Sequence, residues 1–427
     1  MGLTGPMMLL VAVLVALAVP AAALACWHRL DTPGPLRWPG RIALLLGCQL
    51  TALLLAGVSL NDAFVFYGSW AELLGKTVQS GQQTSQGAGL DTMLSVMLAK
   101  HASEGVGTLV SLPVPGTRSG VRTGPATVYL PPQYGDPAYA RRSFPVVELL
   151  SGFPGGPLTW TRTLRLANVL DELIRDGRSA PFIAVVPVQN VASPRDTECV
   201  NVVGGPQVET YLSYDVRAAA ERAFRVARDA SQWTVLGDST GGYCAADLAL
   251  RHPDLFTAAV SIAGYNSPAH DATTRNLFGD QPWLARLYSP LWLVQHRQTG
   301  TLHLLLISTR PDRTAYRATR QLAAAARPPL QLATLVLPSG GHNFKTFAAE
   351  LPLAFGWLSR YVATPLAPLP TVDSLLPRIA PEQPATPNES AEPASRQAAG
   401  KSRTANTSRT ANTSRTASRS RTTSRPG

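Results

Sequence analysis

Residues 233–250 read WTVLGDSTGGYCAADLAL, and the order of residue types in that stretch decides the fold. Trp233–Leu236 has the apolar, β-branched character of a buried strand, and Gly241–Arg251 that of a helix. Between them lies Gly237-Asp238-Ser239-Thr240-Gly241, a G-x-S-x-G turn. The pentapeptide alone is a weak signal, because any turn bearing Gly and Ser can match it. Set between a strand and a helix, it is the arrangement of a nucleophile elbow. The flanking glycines let the backbone turn sharply with the serine strained and exposed, and the helix N-terminus aims N–H groups and a positive dipole end at it. A plain Gly-rich connection in an α/β sheet is the bland alternative.

Outward from the turn, strand and helix signals alternate. Strands are expected at Gly107–Leu112, Pro125–Leu130, Phe144–Leu150, Pro181–Val186, Trp233–Leu236, Ala258–Ile262, His303–Ser308 and Gln331–Leu337. Helices are expected at Leu164–Asp176, Leu212–Val226, Gly241–Arg251, Thr314–Ala326 and Lys345–Val362. This alternation predicts an α/β fold, a mostly parallel sheet with helices on both faces. The first two strands have few residues between them and should form an antiparallel edge.

A serine hydroxyl needs a base to take its proton. Among the seven histidines, His342 sits in Ser339-Gly340-Gly341-His342-Asn343, directly after a late strand. That is where the order nucleophile, acid, base puts the imidazole. His252 closes a helix, His296 and His303 lie near a strand, and His270 lies in a polar loop. The acid should follow the strand His303–Ser308, which points to Asp312 with Asp280 in reserve; surface pairing with Arg310 or Arg313 is the other reading of Asp312. Two donors for an oxyanion are expected at the backbone N–H groups of Thr240 and Phe153, the latter in Ser151-Gly152-Phe153-Pro154-Gly155-Gly156. Pro154 has no N–H to offer.

With these residues in place the chain resembles the esterase-D-like esterases of the α/β-hydrolase superfamily, which include the secreted mycolyltransferases of actinobacteria. The resemblance runs from about Leu109 to Tyr361. It rests on Val128-Tyr129-Leu130-Pro131-Pro132-Gln133-Tyr134, Gly152-Phe153-Pro154-Gly155, Gly237-Asp238-Ser239-Thr240-Gly241-Gly242 and Gly341-His342. It implies an α/β-hydrolase fold, a Ser–His–acid triad and ester or acyl-transfer chemistry. The chain departs from it at Ser151, where many relatives carry His, and at Asp312, where the mycolyltransferases use Glu.

The 427-residue chain carries a formal charge of +11, which at first suggests nucleic acid. Residues 395–427 alone hold one Lys, seven Arg and no acid, so the remainder is near neutral and no nucleic-acid partner is expected. Met7–Cys26 and Ile42–Leu60 are uncharged apolar runs, each long enough to cross a membrane, which takes roughly 20 residues. The short segment between them holds Arg29, Arg37 and Arg41 against Asp31, while neither flank is basic. The positive-inside rule therefore places that segment in the cytoplasm and the remainder of the chain outside. The competing reading is a cleaved signal peptide ending at Ala23-Leu24-Ala25, although it lacks a basic n-region. The expected organisation is a membrane anchor over 1–62, a linker over 63–105, a hydrolase domain over 106–364 and a disordered tail over 365–427. The tail, Pro-rich and then a six-residue near-repeat of SRTANT, reads as a solvated spacer, or else as a tether to anionic wall polymer or lipid headgroups.

Cys199 and Cys244 fall on either side of the expected sheet top and should form a disulfide in an oxidising exterior, or else remain two reduced thiols. No Cys/His cluster suggests a metal, and no cofactor is implied. Trp160 and Trp283 could line an acyl or sugar site or simply fill the core. Three functions stay open: a membrane-anchored extracytoplasmic serine esterase on ester or lipid substrates, an acyltransferase moving acyl chains onto an envelope sugar or lipid, and a non-catalytic envelope-binding protein on a hydrolase scaffold.

Overall fold

The computed structural model describes residues 6–27, 37–64, 88–297 and 300–362. Its N-terminal part is two helices, α1 (Pro6–Trp27) and α2 (Arg37–Phe64). Met7–Trp27 and Trp38–Asn61 are long and apolar enough to cross a membrane, and the first also fits a signal sequence. Leucines point outward from both, Leu17 at 66% and Leu53 at 70% exposure, as suits helices whose apolar surface has no protein to cover it.

Residues 88–104 do not belong to a linker. They form α3 (Ala88–Glu104), whose Leu98 packs against the main hydrophobic core and whose end is tied down by His101 Nδ1, 2.8 Å from Thr108 Oγ1. Most of the Gln/Ser/Gly-rich stretch Lys76–Gly89, the short segment between α1 and α2, and the tail from residue 363 lie outside the described residues.

After α3 the chain runs β1 (Thr108–Leu112), β2 (Ala126–Leu130), β3 (Val146–Leu150), α4 (Leu166–Arg175), β4 (Ile183–Val186), α5 (Arg217–Ala223), β5 (Trp233–Asp238), α6 (Thr240–Arg251), β6 (Ala258–Ile262), α7 (Pro290–His296), β7 (His303–Thr309), α8 (Arg313–Ala325), β8 (Gln331–Leu337) and α9 (Phe344–Leu358). The eight strands lie in the order β1-β2-β4-β3-β5-β6-β7-β8. β1 and β2 form the expected antiparallel edge, β2 also runs antiparallel to β4, and every other pairing is parallel. The central strands β3 to β6 are buried along their whole length, as a sheet covered on both faces requires.

Alternation along each strand feeds a core on either side. On β3, Val146 and Leu150 enter one cluster with Val185, Val235, Tyr243 and Leu248. Val147 and Leu149 enter the other with Leu236, Ile262, Leu351 and Phe355. α4 joins the second cluster because Leu166, Leu170, Leu173 and Ile174 recur at helical spacing and are all buried.

Two expected helices begin differently. Thr159–Thr163 and Tyr211–Val216 adopt wider, π-type turns, so that regular helix starts at Leu166 and Arg217. β3 starts at Val146 rather than Phe144, for the Phe144 backbone bonds to Arg225 and Ala227 instead. α9 ends at Leu358, short of Val362.

Candidate active site

β5 ends at Asp238, and α6 begins at Thr240. Ser239 between them holds φ 55°, ψ −120°, a conformation that L side chains adopt only under constraint. Its N–H donates to Ile262 O at 2.8 Å, and its carbonyl accepts from Tyr243 at 3.0 Å. The turn closes only because residues 237 and 241 lack side chains. A Cβ on Gly237 would lie 2.1 Å from Gly241 O, and one on Gly241 2.2 Å from Leu150 O.

Ser239 Oγ lies 2.8 Å from His342 Nε2, and His342 Nδ1 lies 2.6 Å from Asp312 Oδ2. A carboxylate can only accept, so the Nδ1 of a neutral imidazole carries the hydrogen and Nε2 is free to accept from the serine hydroxyl. His342 hangs in the loop between β8 and α9. Phe347 meets its ring edge-on with centroids 5.3 Å apart, and Thr346 Oγ1 accepts the Gly341 N–H at 3.0 Å. Asp312 caps α8, its Oδ1 accepting from Ala315 N–H at 3.2 Å. Its side chain is 7% exposed against 48% for His342. Burial acts to raise the Asp312 carboxyl, but the hydrogen bonds from His342 and Ala315 outweigh it and hold the group below the ordinary aspartate value. Asp280 stays exposed in the loop between β6 and α7.

Thr240 opens α6, where the first N–H groups have no partner within the helix. Leu150 pairs with Gly237 across β3 and β5, so the loop carrying Phe153 emerges beside the serine turn. A Cβ on residue 152 would come 3.0 Å from Ser239 Cβ. Cys199 and Cys244 are bonded, Sγ–Sγ 2.06 Å and Cα–Cα 5.8 Å, and join the loop beyond β4 to α6.

Beneath the turn lies a group of carboxyls that sequence reading missed. The Tyr265 hydroxyl is 2.8 and 2.7 Å from the two Glu198 oxygens and 3.1 Å from Thr240 Oγ1, which is itself 3.4 Å from Asp196 Oδ2. Burial, reinforced by the Asp196 charge, pushes Glu198 up to about 8, and burial pushes Asp196 up to about 6. No motif marks these residues; only the folded chain brings them together.

Of the other candidates, Trp160 and His252 have structural duties, and Trp283 does not fill the core. Trp160 is fully buried in the second core cluster, and Trp283 is 56% exposed. His252 Nε2 lies 2.8 Å from Glu209 Oε1, in a network completed by Arg251. Among the described residues no group of three or more His, Cys, Asp or Glu side chains is arranged to hold a metal ion.

Comparison with known proteins places this geometry among relatives. The sequence model of the family described as "Putative esterase" matches residues 122–358. An uncharacterised protein of Corynebacterium glutamicum is 27% identical over 270 residues, covering 60% of this chain and 62% of that protein, so the match spans less than two thirds of the relative's length. In structure the chain is similar to a ferulic acid esterase, with TM-score 0.51 and 19% identity over 60% of this chain and 99% of the other. It is also similar to an S-formylglutathione hydrolase from Agrobacterium tumefaciens, with TM-score 0.51 and 16% identity over 60% and 96%. At such identities the likeness carries the α/β-hydrolase fold.

Proposed function

This chain belongs to that esterase family, and from that premise we propose that it is a serine hydrolase, a membrane-anchored, extracytoplasmic esterase that cleaves carboxylic esters through an acyl-serine intermediate. One observation carries the assignment of roles: the unbroken hydrogen-bonded line from Ser239 Oγ through His342 to Asp312. In this reading His342 Nε2 takes the Ser239 proton as Oγ attacks the ester carbonyl. Asp312 keeps the imidazole in the required tautomer and stabilises it once charged. The N–H groups of Thr240 and Phe153 receive the negative charge that develops on the carbonyl oxygen. The imidazolium then gives its proton to the departing alcohol. In the second half His342 activates water, which releases the acid and restores Ser239. A sugar or lipid hydroxyl in place of that water gives acyl transfer by the same residues. The exterior location is supported by the two apolar helices and by the basic residues of the segment between them.

The test is labelling of the detergent-solubilised full chain with a fluorophosphonate probe. Wild type should be labelled, and Ser239→Ala and His342→Ala should not; a folded wild type that takes no label removes the enzyme reading. Short acyl esters offered with and without a sugar acceptor then separate hydrolysis from transfer. A reporter fused after residue 62 that is active only outside should give signal, and a cytoplasmic signal overturns the proposed orientation.

A further inference from the structure

The loop 151–156, which carries the donor proposed at Phe153, contains three glycines and one proline and has few side chains of its own to fix it. Its backbone is tied from outside. Gln189 Nε2 donates to Ser151 O at 2.7 Å, and Asn190 Nδ2 donates to Gly155 O. The third tie comes from the strand that bears the nucleophile: the Gly152 N–H donates to Asp238 Oδ2 at 3.3 Å. Within the loop, Gly155 N–H closes back on Gly152 O at 2.7 Å and Ser151 Oγ donates to Gly156 O at 3.1 Å. At its far end Gly156 N–H donates to Thr159 Oγ1 at 3.2 Å.

Asp238 is the last residue of β5, immediately before Ser239, and is 1% exposed. A Cβ on residue 152 would meet both Asp238 Oδ2 and Ser239 Cβ at 3.0 Å. Loop, carboxyl and nucleophile are therefore in mutual contact, with no space for a side chain between them. The elbow motif leaves this position open to any residue. Among the described residues no cation bonds to Asp238, and its Oδ1 has no hydrogen-bond partner. A carboxyl in such a place is costly, and the site carries one next to the nucleophile all the same.

We infer that Asp238 is a positioning residue, whose side chain accepts the Gly152 N–H and thereby sets the loop bearing the Phe153 donor against the nucleophile turn. The inference rests on the proposed roles of Ser239 and Phe153 and adds a third party that touches neither substrate nor proton. Donors help an oxyanion only when they are already aimed at it, because swinging a loose loop into place spends the stabilisation it provides. Burial pushes the Asp238 carboxyl up to about 7, against the opposing pull of Gly152 N–H and His342. Disfavouring the charged form suits the position, since a fixed negative charge there would oppose the oxyanion. What the loop needs from residue 238 is an oxygen at the right distance.

The test compares Asp238→Ala, Asp238→Leu and Asp238→Asn with wild type in p-nitrophenyl butyrate hydrolysis and fluorophosphonate labelling, on the full chain in detergent. Losing one oxyanion donor lowers kcat by about 10²–10³. Loosening its loop should cost roughly 30-fold or more in kcat for Asp238→Ala, with KM within about threefold. Asp238→Asn keeps an acceptor oxygen in place and should stay within about threefold of wild type. Asp238→Leu keeps the branched shape, in a larger volume, without the acceptor and should be no better than alanine, so that a folded member of the pair, judged by circular dichroism, carries the test. A folded alanine or leucine variant within about twofold of wild-type kcat overturns the inference. So does an asparagine variant as poor as alanine, which would show that charge and not the acceptor matters. Failure of wild type to label sinks the enzyme reading itself, whereas labelled wild type with undiminished variants sinks this inference alone.

Discussion

Breaking the bridge between Cys199 and Cys244 should lower stability by an amount that follows from its place in the chain. The two residues are 45 apart. A cross-link of that span removes conformational freedom from the unfolded chain worth about 4 kcal/mol at 25 °C on the loop-entropy estimate. In a domain of this size each kcal/mol moves the thermal midpoint by about 2–4 °C, so the expected fall is roughly 8–16 °C. Both residues are buried, and substitution by alanine also leaves sulfur-sized spaces, which adds to the loss. The effects should not add: Cys199→Ala and Cys244→Ala each open the same loop, and the double variant should be little worse than either. The assay is thermal unfolding by circular dichroism, run on the wild type with and without reductant and on the three variants. A midpoint that moves by less than about 2 °C in every case, or single-variant losses that sum in the double, refutes the reasoning.

Three further outcomes are expected. Asp312→Asn should fold normally and lower kcat by about 10⁴-fold by favouring the wrong tautomer of His342, measured in ester hydrolysis; a loss under tenfold removes Asp312 from the site. Glu148 and Glu198 are pushed up to about 8, Asp238 and Glu350 to about 7 and Asp196 to about 6, all chiefly by burial, so the folded chain binds protons that the unfolded chain releases above about pH 4. Stability should therefore fall as pH rises from about 4 to 8, giving a higher thermal midpoint at pH 6 than at pH 8.5, and the reverse order contradicts it. The depressed Glu209 and Asp312 act oppositely at lower pH, and the depressed His303 opposes the five carboxyls only up to about its ordinary value of 6.5. Gly237→Ala, whose new Cβ would lie 2.1 Å from Gly241 O, should abolish folding or labelling, whereas Gly156→Ala meets nothing within 4 Å and should be tolerated; equal behaviour of the two in soluble yield and labelling contradicts the packing argument.

Much of this architecture was legible because the signals are local. Each strand of the sheet lies where a short apolar run suggested it, and the serine turn, the late-loop histidine and the acid beyond β7 follow from chain order. What could not be read depends on burial. Glu148 sits in the run Val146–Leu150, buried on all sides, and nothing in neighbouring residues says that its carboxyl must stay neutral. Glu198 and Asp196 approach Thr240 only through the folding of a long loop beyond β4. The wide turn at Tyr211–Val216 carries the same apolar spacing as ordinary helix, and the one at Thr159–Thr163 has only Trp160 as an apolar mark. Helix α3 was hidden by the Gly- and Gln-rich residues just before it, which lowered the local signal although Leu98 has a core to join.

The strand order also divides the site into halves of unequal security. Ser239 and Gly152 stand at the ends of β5 and β3, interior strands bonded on both sides, while His342 hangs from β8, the edge strand, whose residues are partly exposed. Edges open at lower free energy than cores. On the proposed roles, fraying there would withdraw the imidazole and leave the serine turn assembled, so activity should be lost on warming before the sheet unfolds. If Ser239 is the nucleophile proposed above, an acyl group on it at that moment would have no base to activate water and would stay in place until the edge closed again.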